Sequence, residues 1–245
     1  MLNLNKSNQV IPWRFEYKYR ISIYQYYRLK NHLALYMTPD HYSKVAPGGR
    51  YLVRSLYFDN DQFQAYFEKV EGNFGRIKCR IRTYSTSQNP ETVIKAELKN
   101  RWGESIEKYS TLISGDDYRI FMKTGHWARP ENPILQEFER LVFLRAMRPK
   151  VLVEYNREGF EPRSRENVRL TFDHKVSSYF CEDLFPRSTL MKAHHRHSIV
   201  LEIKCRRNQP AWLSRLVRDH NLKYIANSKY TQAVETVRPD LQNPY

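Results

Sequence analysis

The sequence of 245 residues has 41 Lys and Arg against 26 Asp and Glu, which gives a formal net charge of +15. This charge predicts a polyanionic partner such as nucleic acid, a membrane surface or phosphates. With 41% hydrophobic residues, 18 Tyr and 12 Phe, the composition excludes the disordered class, and no apolar run approaches the ~20 residues that span a bilayer.

Strands are predicted wherever charged and apolar residues alternate along the chain. One helix is expected to begin at a capping box from Ser114 to Asp117, and another after Pro133. The eight predicted strands cover residues 14–23, 51–59, 76–84, 94–99, 105–112, 151–157, 168–175 and 198–206. The predicted helices cover residues 24–37, 62–70, 114–123, 134–145, 210–220 and 228–237, and residues 177–197 are predicted to form a loop.

The order of these elements predicts the α+β class with a largely antiparallel sheet, because the helices do not alternate with strands as in repeated βαβ units. Eight antiparallel strands can close into a barrel just wide enough for side chains or one elongated ligand. No linker or repeat divides the chain, so we expect a single domain over residues 1–245. The N-terminal residues lack a secretory signal pattern and the three cysteines lack metal-like spacing, so a cytoplasmic location is expected.

The strand at residues 76–84 has an unusual charged face. Its alternate residues from Arg76 to Arg82 are all Lys or Arg. For one strand alone, a solvent-exposed outer face is the better interpretation. At least six of the eight predicted strands carry Lys, Arg or Glu opposite their apolar residues, however, and with that face inside they would line a cationic tunnel. Two unit charges ~6 Å apart repel by roughly 3 kcal/mol at an effective dielectric of ~20, so such an interior requires acids or a bound polyanion.

Three acids share these charged faces, Glu16, Glu97 and Glu202. They are too few to neutralise the cations. They suit a divalent metal held by one or two carboxylates, with water and phosphate oxygens in the remaining positions. Asp59 and Asp173 are expected to end strands rather than to hold metal.

Short motifs spread from about residue 14 to residue 237 carry a resemblance to a known family. No single motif is specific, but their order and spacing together are. The motifs are Lys18-Tyr19, SLYFDN at 55–60, Arg80-x-Arg82-x-Tyr84, Glu97-x-Lys99, Tyr155-Asn156-Arg157, Val168-Arg169-Leu170, Leu201-Glu202-Ile203-Lys204 and Ser228-Lys229-Tyr230. With them the sequence resembles the VTC domain, the polyphosphate polymerase branch of the CYTH-like triphosphate tunnel metalloenzymes, in a stand-alone prokaryotic-type form.

The resemblance implies a closed antiparallel β-barrel of about eight strands with peripheral helices, whose tunnel binds ATP, triphosphate or inorganic polyphosphate. Glu202 would hold Mn²⁺ or Mg²⁺, and Glu16 and Glu97 are further candidate metal ligands. The implied phosphate- and nucleotide-binding residues are Lys18, Arg80, Arg82, Lys99, Lys108, Tyr155, Arg157, Arg169, Ser228 and Lys229. Those with an implied catalytic role are Arg80, Arg82, Lys99, Arg157, Arg169 and Glu202.

We therefore expect a metal-dependent polyphosphate polymerase that transfers the terminal phosphoryl group of ATP to a growing polyphosphate chain. This reaction depends on positioning and charge neutralisation more than on covalent chemistry by the protein. One departure from the superfamily is the first strand, which reads Arg14-x-Glu16-x-Lys18 where relatives often begin with Glu. The missing acid weakens the interpretation as a two-metal hydrolase or a cyclase.

Three alternatives to polymerase activity stay open. The same tunnel could serve an inorganic or nucleoside triphosphatase, with water as the acceptor. It could also serve a non-catalytic polyphosphate-binding module. A nucleic-acid binder that stacks bases on tyrosines is disfavoured, because Tyr17 and Tyr19 fall on an apolar face. Arg76 and Lys78 lack motif support and are candidates for a tunnel mouth.

Overall fold

Ten strands form one antiparallel sheet in a computed structural model that describes residues 15–103, 105–129, 131–206 and 209–242. The sheet order is β1-β10-β8-β7-β3-β4-β5-β6, with β2 added beside β7 and β9 beside β8. The strands are β1 Phe15–Ser22, β2 Met37–Pro39, β3 Tyr51–Asp59, β4 Gly75–Thr83, β5 Ile94–Trp102, β6 Ser105–Ile113, β7 Arg148–Pro162, β8 Val168–Phe180, β9 Lys192–Ala193 and β10 Ser198–Cys205. Arg14, the predicted start of the first strand, lies outside the described residues.

Seven α-helices and two short 3₁₀ helices surround the sheet in the described part of the chain. The α-helices are α1 Ile23–Leu33, α2 His41–Val45, α3 Gln64–Val70, α4 Gly115–Thr124, α5 Pro133–Leu144, α6 Ala211–Asp219 and α7 Lys229–Val237. The capping box of α4 is present, with the Asp117 backbone N–H donating to Ser114 Oγ and the Ser114 N–H donating to Asp117. The predicted α+β class with an antiparallel sheet is confirmed.

Several predicted boundaries were wrong. The first helix ends at Leu33 rather than residue 37, because Met37 pairs with Pro162 in a short strand beside β7. Ile23 begins this helix instead of ending β1, since the Ser22 side chain caps it. The predicted loop at residues 177–197 holds the end of β8 and the whole of β9, which pair with each other at Ser177–Ser178.

The charged side chains share one face of the sheet, which we call the inner face. The strand-pairing register shows which residues lie on this face, since directly opposed residues of neighbouring strands point to the same side. It carries Glu16, Lys18, Tyr51, Val53, Ser55, Tyr57, Arg76, Lys78, Arg80, Arg82, Lys95, Glu97, Lys99, Arg101, Lys108, Val151, Val153, Tyr155, Arg157, Arg169, Thr171, Asp173, Val200, Glu202 and Lys204. Among the described residues no ladder joins the terminal strands β1 and β6. The sheet nevertheless curls, because Lys99 of β5 contacts Glu16 of β1.

Helix α7 covers the apolar part of the inner face. Its residues Tyr230, Ala233 and Val234 pack in one buried cluster with Val53 and Val153. The opposite face of the sheet packs against α4 and α5 on one side and against α1 and α6 on the other. The charged part of the inner face is thus bounded by the curled sheet and by the N-terminus of α7. No helix among the described residues is long and apolar enough to cross a bilayer.

Candidate active site

Glu97 organises one cluster of cations on the inner face. Its side chain is 1% exposed, and its Oε2 lies 2.6 Å from Arg80 Nε and 3.8 Å from Arg82 Nε. Lys108 of β6 forms an ion pair with its other oxygen. Burial raises the pKa of Glu97, but the three cations outweigh burial and hold that pKa well below its usual range. The carboxylate therefore stays ionised and fixes the directions of both guanidinium groups.

Hydrogen bonds from β3 position the same arginines. Arg82 Nε donates to Ser55 Oγ at 3.0 Å, and Arg80 Nη1 donates to the Tyr57 hydroxyl at 2.9 Å. Ser55 lies opposite Arg82 and Tyr57 lies opposite Arg80 in the β3–β4 ladder. The register of the β3–β4 pair thus brings the motif residues of these two strands into contact. Planar guanidinium groups held in this way match the geometry of phosphate oxygens.

Asp173 forms the centre of a second cluster. Arg157 donates to it through Nε at 2.6 Å and Nη2 at 2.9 Å, and Lys229 Nζ lies 2.5 Å from Oδ2. The interpretation of Asp173 as a strand end was wrong: β8 continues to Phe180, and Asp173 is fully buried on the inner face. The alternation of Asp173 with Thr171 and Arg169 was the sequence signal for this position. Burial raises the pKa of Asp173, but the positive charges of Arg157 and Lys229 outweigh burial and lower this pKa below its usual value.

Glu16 and Glu202 form a third cluster, joined by Lys204. The ammonium group of Lys204 lies 2.7 Å from Glu202 and 3.4 Å from Glu16. Burial and Glu202 raise the pKa of Glu16, but Lys99, Lys18 and Lys204 outweigh them and lower it to about 2. Lys204 was missed as a site residue, although it shares the charged strand face with Glu202.

The N-terminus of α7 points at the charged part of the inner face. Lys18 Nζ donates to the Asn227 carbonyl at 2.8 Å, and Lys78 Nζ donates to Ser228 Oγ at 2.9 Å. Ser228 is also the N-cap of α7, since its Oγ accepts from the Thr231 backbone N–H. A helix N-terminus carries partial positive charge, so its direction here adds to the field of the cations.

The structure brings most of the predicted site residues together. Those on the charged part of the inner face or at the start of α7 are Glu16, Lys18, Arg80, Arg82, Glu97, Lys99, Lys108, Tyr155, Arg157, Glu202, Ser228 and Lys229. Tyr155 is buried, with its hydroxyl 3.5 Å from Arg82 Nη2. Arg169 differs from these residues: it is exposed and donates to Asp40 at 2.9 Å, at the edge of the inner face.

The candidate metal ligands divide into two places. Glu97 is surrounded by Arg80, Arg82 and Lys108, which leaves it apart from the other two acids. Glu16 and Glu202 share one neighbour, the ammonium group of Lys204, and Glu16 also forms ion pairs with Lys18 and Lys99. Among the described residues, no three His, Cys, Asp or Glu side chains are arranged to hold a metal on their own. Two converging carboxylates fit a hard divalent ion whose remaining ligands are phosphate oxygens and water.

Comparison with known proteins decides the family. The family model of the VTC domain matches residues 13–238. The chain belongs to the VTC domain family. Subunit 4 of the vacuolar transporter chaperone complex of Schizosaccharomyces pombe is 22% identical over 230 residues, covering 76% of this chain and 32% of that protein. The VTC chain therefore spans about a third of the length of this relative.

A solved structure supports the fold of this VTC domain. The similar chain is a protein of Bacillus halodurans named as a candidate adenylate cyclase, with a TM-score of 0.54 and 14% identity. The similarity covers 88% of the VTC chain and 95% of that chain. At this identity it shows a shared fold and nothing of activity. Together with the family match it confirms the expected α+β fold with one antiparallel sheet.

Proposed function

We propose that this VTC domain is a metal-dependent polyphosphate polymerase that moves the terminal phosphoryl group of ATP onto a growing polyphosphate chain. The observation that carries the proposal is the charged inner face. Arg80, Arg82 and Arg157 on this face, and Lys229 at the start of α7, are buried or half-buried, and carboxylates hold them in place. Family membership favours a phosphate-chain substrate for such a surface over nucleic acid.

The arginines and Lys229 supply what phosphoryl transfer requires. The transition state spreads negative charge over phosphate oxygens, and cations fixed in advance stabilise that charge without reorganising. Glu97 fixes Arg80 and Arg82, while Asp173 fixes Arg157 and Lys229. The acceptor is the ionised end of a phosphate chain, so no strong general base is required.

A divalent metal fits beside these cations. When bound, Mn²⁺ or Mg²⁺ would neutralise charge on phosphate oxygens. Glu202 would hold it, with Glu16 as the second carboxylate, because both converge on Lys204. Glu97 instead orients the arginines.

The test is incubation of the purified protein with ATP and Mn²⁺, followed by gel electrophoresis for polyphosphate and by an assay for free phosphate. Growth of chains that needs both ATP and metal is the expected result. Release of free phosphate without chain growth would instead establish a triphosphatase. Stabilisation by tripolyphosphate without any turnover of ATP would establish a binding module.

A further inference from the structure

Four cations beyond the clusters described above lie close together on β4, β5 and α3. In the β4–β5 ladder Arg76 is directly opposite Arg101, and Lys78 is directly opposite Lys99. Directly opposed side chains in a ladder are close neighbours, and like charges in such positions are destabilising. Lys69 of α3 lies near this ladder, within range of electrostatic repulsion by Arg76 and Arg101. We call Lys69, Arg76, Lys78 and Arg101 the outer cation group.

In the described part of the chain, ion pairs do not neutralise this group as they neutralise the rest of the inner face. Among the described residues, none of its four members forms an ion pair, whereas Arg80 pairs with Glu97 and Arg157 pairs with Asp173. Arg76 Nη1 is buried and has no hydrogen-bond partner. Glu68, the acid whose charge reaches Arg76, forms its own ion pair with Arg145 at 2.9 Å. A buried charged donor without an acceptor is costly, so this arrangement favours an anion from outside.

Electrostatics agree with the geometry. Burial, followed by Lys99, Lys18 and Arg76, holds the pKa of Lys78 well below its usual value. Burial, followed by Arg76, Arg101 and Lys18, lowers the pKa of Lys69, and these effects outweigh the opposite effect of Glu235. Each ammonium group is thus disfavoured by cations around it, and negative charge among them would reverse this effect.

The outer cation group is continuous with the proposed active site. Lys78 donates to Ser228 at the start of α7, and Lys99 next to it contacts Glu16. From there Arg76, Arg101 and Lys69 continue along β4 and β5 to the side of the molecule where α3 packs. A linear anion bound at the active site can therefore extend along this row.

We propose that Lys69, Arg76, Lys78 and Arg101 form an additional subsite that binds the extended part of a phosphate chain longer than triphosphate. The choice of a phosphate chain as ligand rests on the proposed function. The subsite predicts that affinity depends on chain length, because only a long chain reaches from the active site to the outer residues.

Calorimetric binding without nucleotide or metal tests the subsite. The double variant Lys69→Gln/Arg101→Gln should bind long-chain polyphosphate at least about tenfold more weakly, since it loses two charge-assisted contacts. Its affinity for tripolyphosphate should stay close to that of the unchanged protein. The control Arg119→Gln/Lys123→Gln removes the same charge from the outer helix α4 and should lower neither affinity as much. Equal weakening of both ligands by the first variant, or no weakening, would overturn the subsite.

Thermal unfolding distinguishes a binding role from a structural role, because the loss of residues that support the fold would lower the melting temperature. Removing two cations relieves repulsion, so Lys69→Gln/Arg101→Gln should melt at the same or a higher temperature than the unchanged protein when no anion is present. A lower melting temperature would show that these residues support the fold and would count against the subsite. Length-dependent binding in a protein that makes no polymer from ATP would refute the polymerase and leave the subsite standing.

Discussion

Lys99 on β5 contacts Glu16 on β1 with 3.2 Å between Nζ and Oε2, although five strands lie between them in the sheet. This contact requires the sheet to curl until residues near its two ends meet on one side. The inner face is therefore an enclosed surface rather than an open one. Enclosure lowers the effective dielectric and strengthens each interaction with a bound phosphate.

Arg80 and Arg82 should be needed for catalysis. Arg80→Gln and Arg82→Gln should each lower the rate of chain elongation by about 100-fold, because each removes a fixed donor to transition-state charge. Elongation rates at saturating ATP measure the effect, and thermal unfolding checks that the fold is intact. Arg119→Gln on α4 is the matched control and should keep full activity. A folded Arg80→Gln variant with full activity would show that the site lies elsewhere.

Glu202 and Glu97 should respond differently to metal. Glu202→Gln should raise the Mn²⁺ concentration for half-maximal activity by at least about tenfold, because it removes a proposed metal ligand. Glu97→Gln should weaken phosphate binding with little change in that concentration, since Glu97 orients Arg80 and Arg82. Titration of activity with Mn²⁺ separates the two effects. A larger metal effect at Glu97 than at Glu202 would reverse the assignment.

Phosphate binding should weaken in mildly alkaline solution because of Lys108. Burial lowers the pKa of Lys108 to about 8, although Glu97 opposes this shift. A bound anion favours the protonated amine, so affinity is full below this pKa and falls as pH rises through it. Calorimetry with tripolyphosphate at about pH 7 and about pH 9 brackets the change. The Lys108→Arg variant keeps its positive charge at both pH values, so its affinity for tripolyphosphate should decrease less between them. An identical pH dependence in both proteins would exclude Lys108 as the cause.

Asp59 should contribute to stability rather than to metal binding. It is fully buried, and it accepts hydrogen bonds from the backbone N–H groups of Ala65 and Tyr66 and from the Tyr230 hydroxyl. Asp59→Ala should lower the free energy of unfolding by about 2–3 kcal/mol, because it leaves these donors unpaired. Denaturant unfolding measures this. Asp116→Ala is the control: Asp116 and its ion-pair partner Arg119 are both exposed, so this substitution should change the free energy of unfolding much less.

Strand alternation was sufficient to predict the main strands, because a half-buried strand separates charged from apolar residues at a period of two. It was not sufficient for Asp173, since an acid near a presumed boundary resembles a strand end. The pairing of Lys78 with Ser228, or of Lys204 with two acids, depends on how the sheet curls. Contacts of this kind join distant segments, so local patterns in the sequence do not contain them.

The hydrogen bond from Lys18 to Asn227 joins residues that are 209 positions apart. Strand β1 pairs only with β10 in the described ladders, and α7 follows β10 in the chain. During synthesis the arginines of β4 therefore leave the ribosome long before Lys229 does. Contacts of such long range also slow folding. A chain that stops short of α7 would keep most of its positive charge but would lack the enclosed surface, so substrate binding is coupled to completion of the fold.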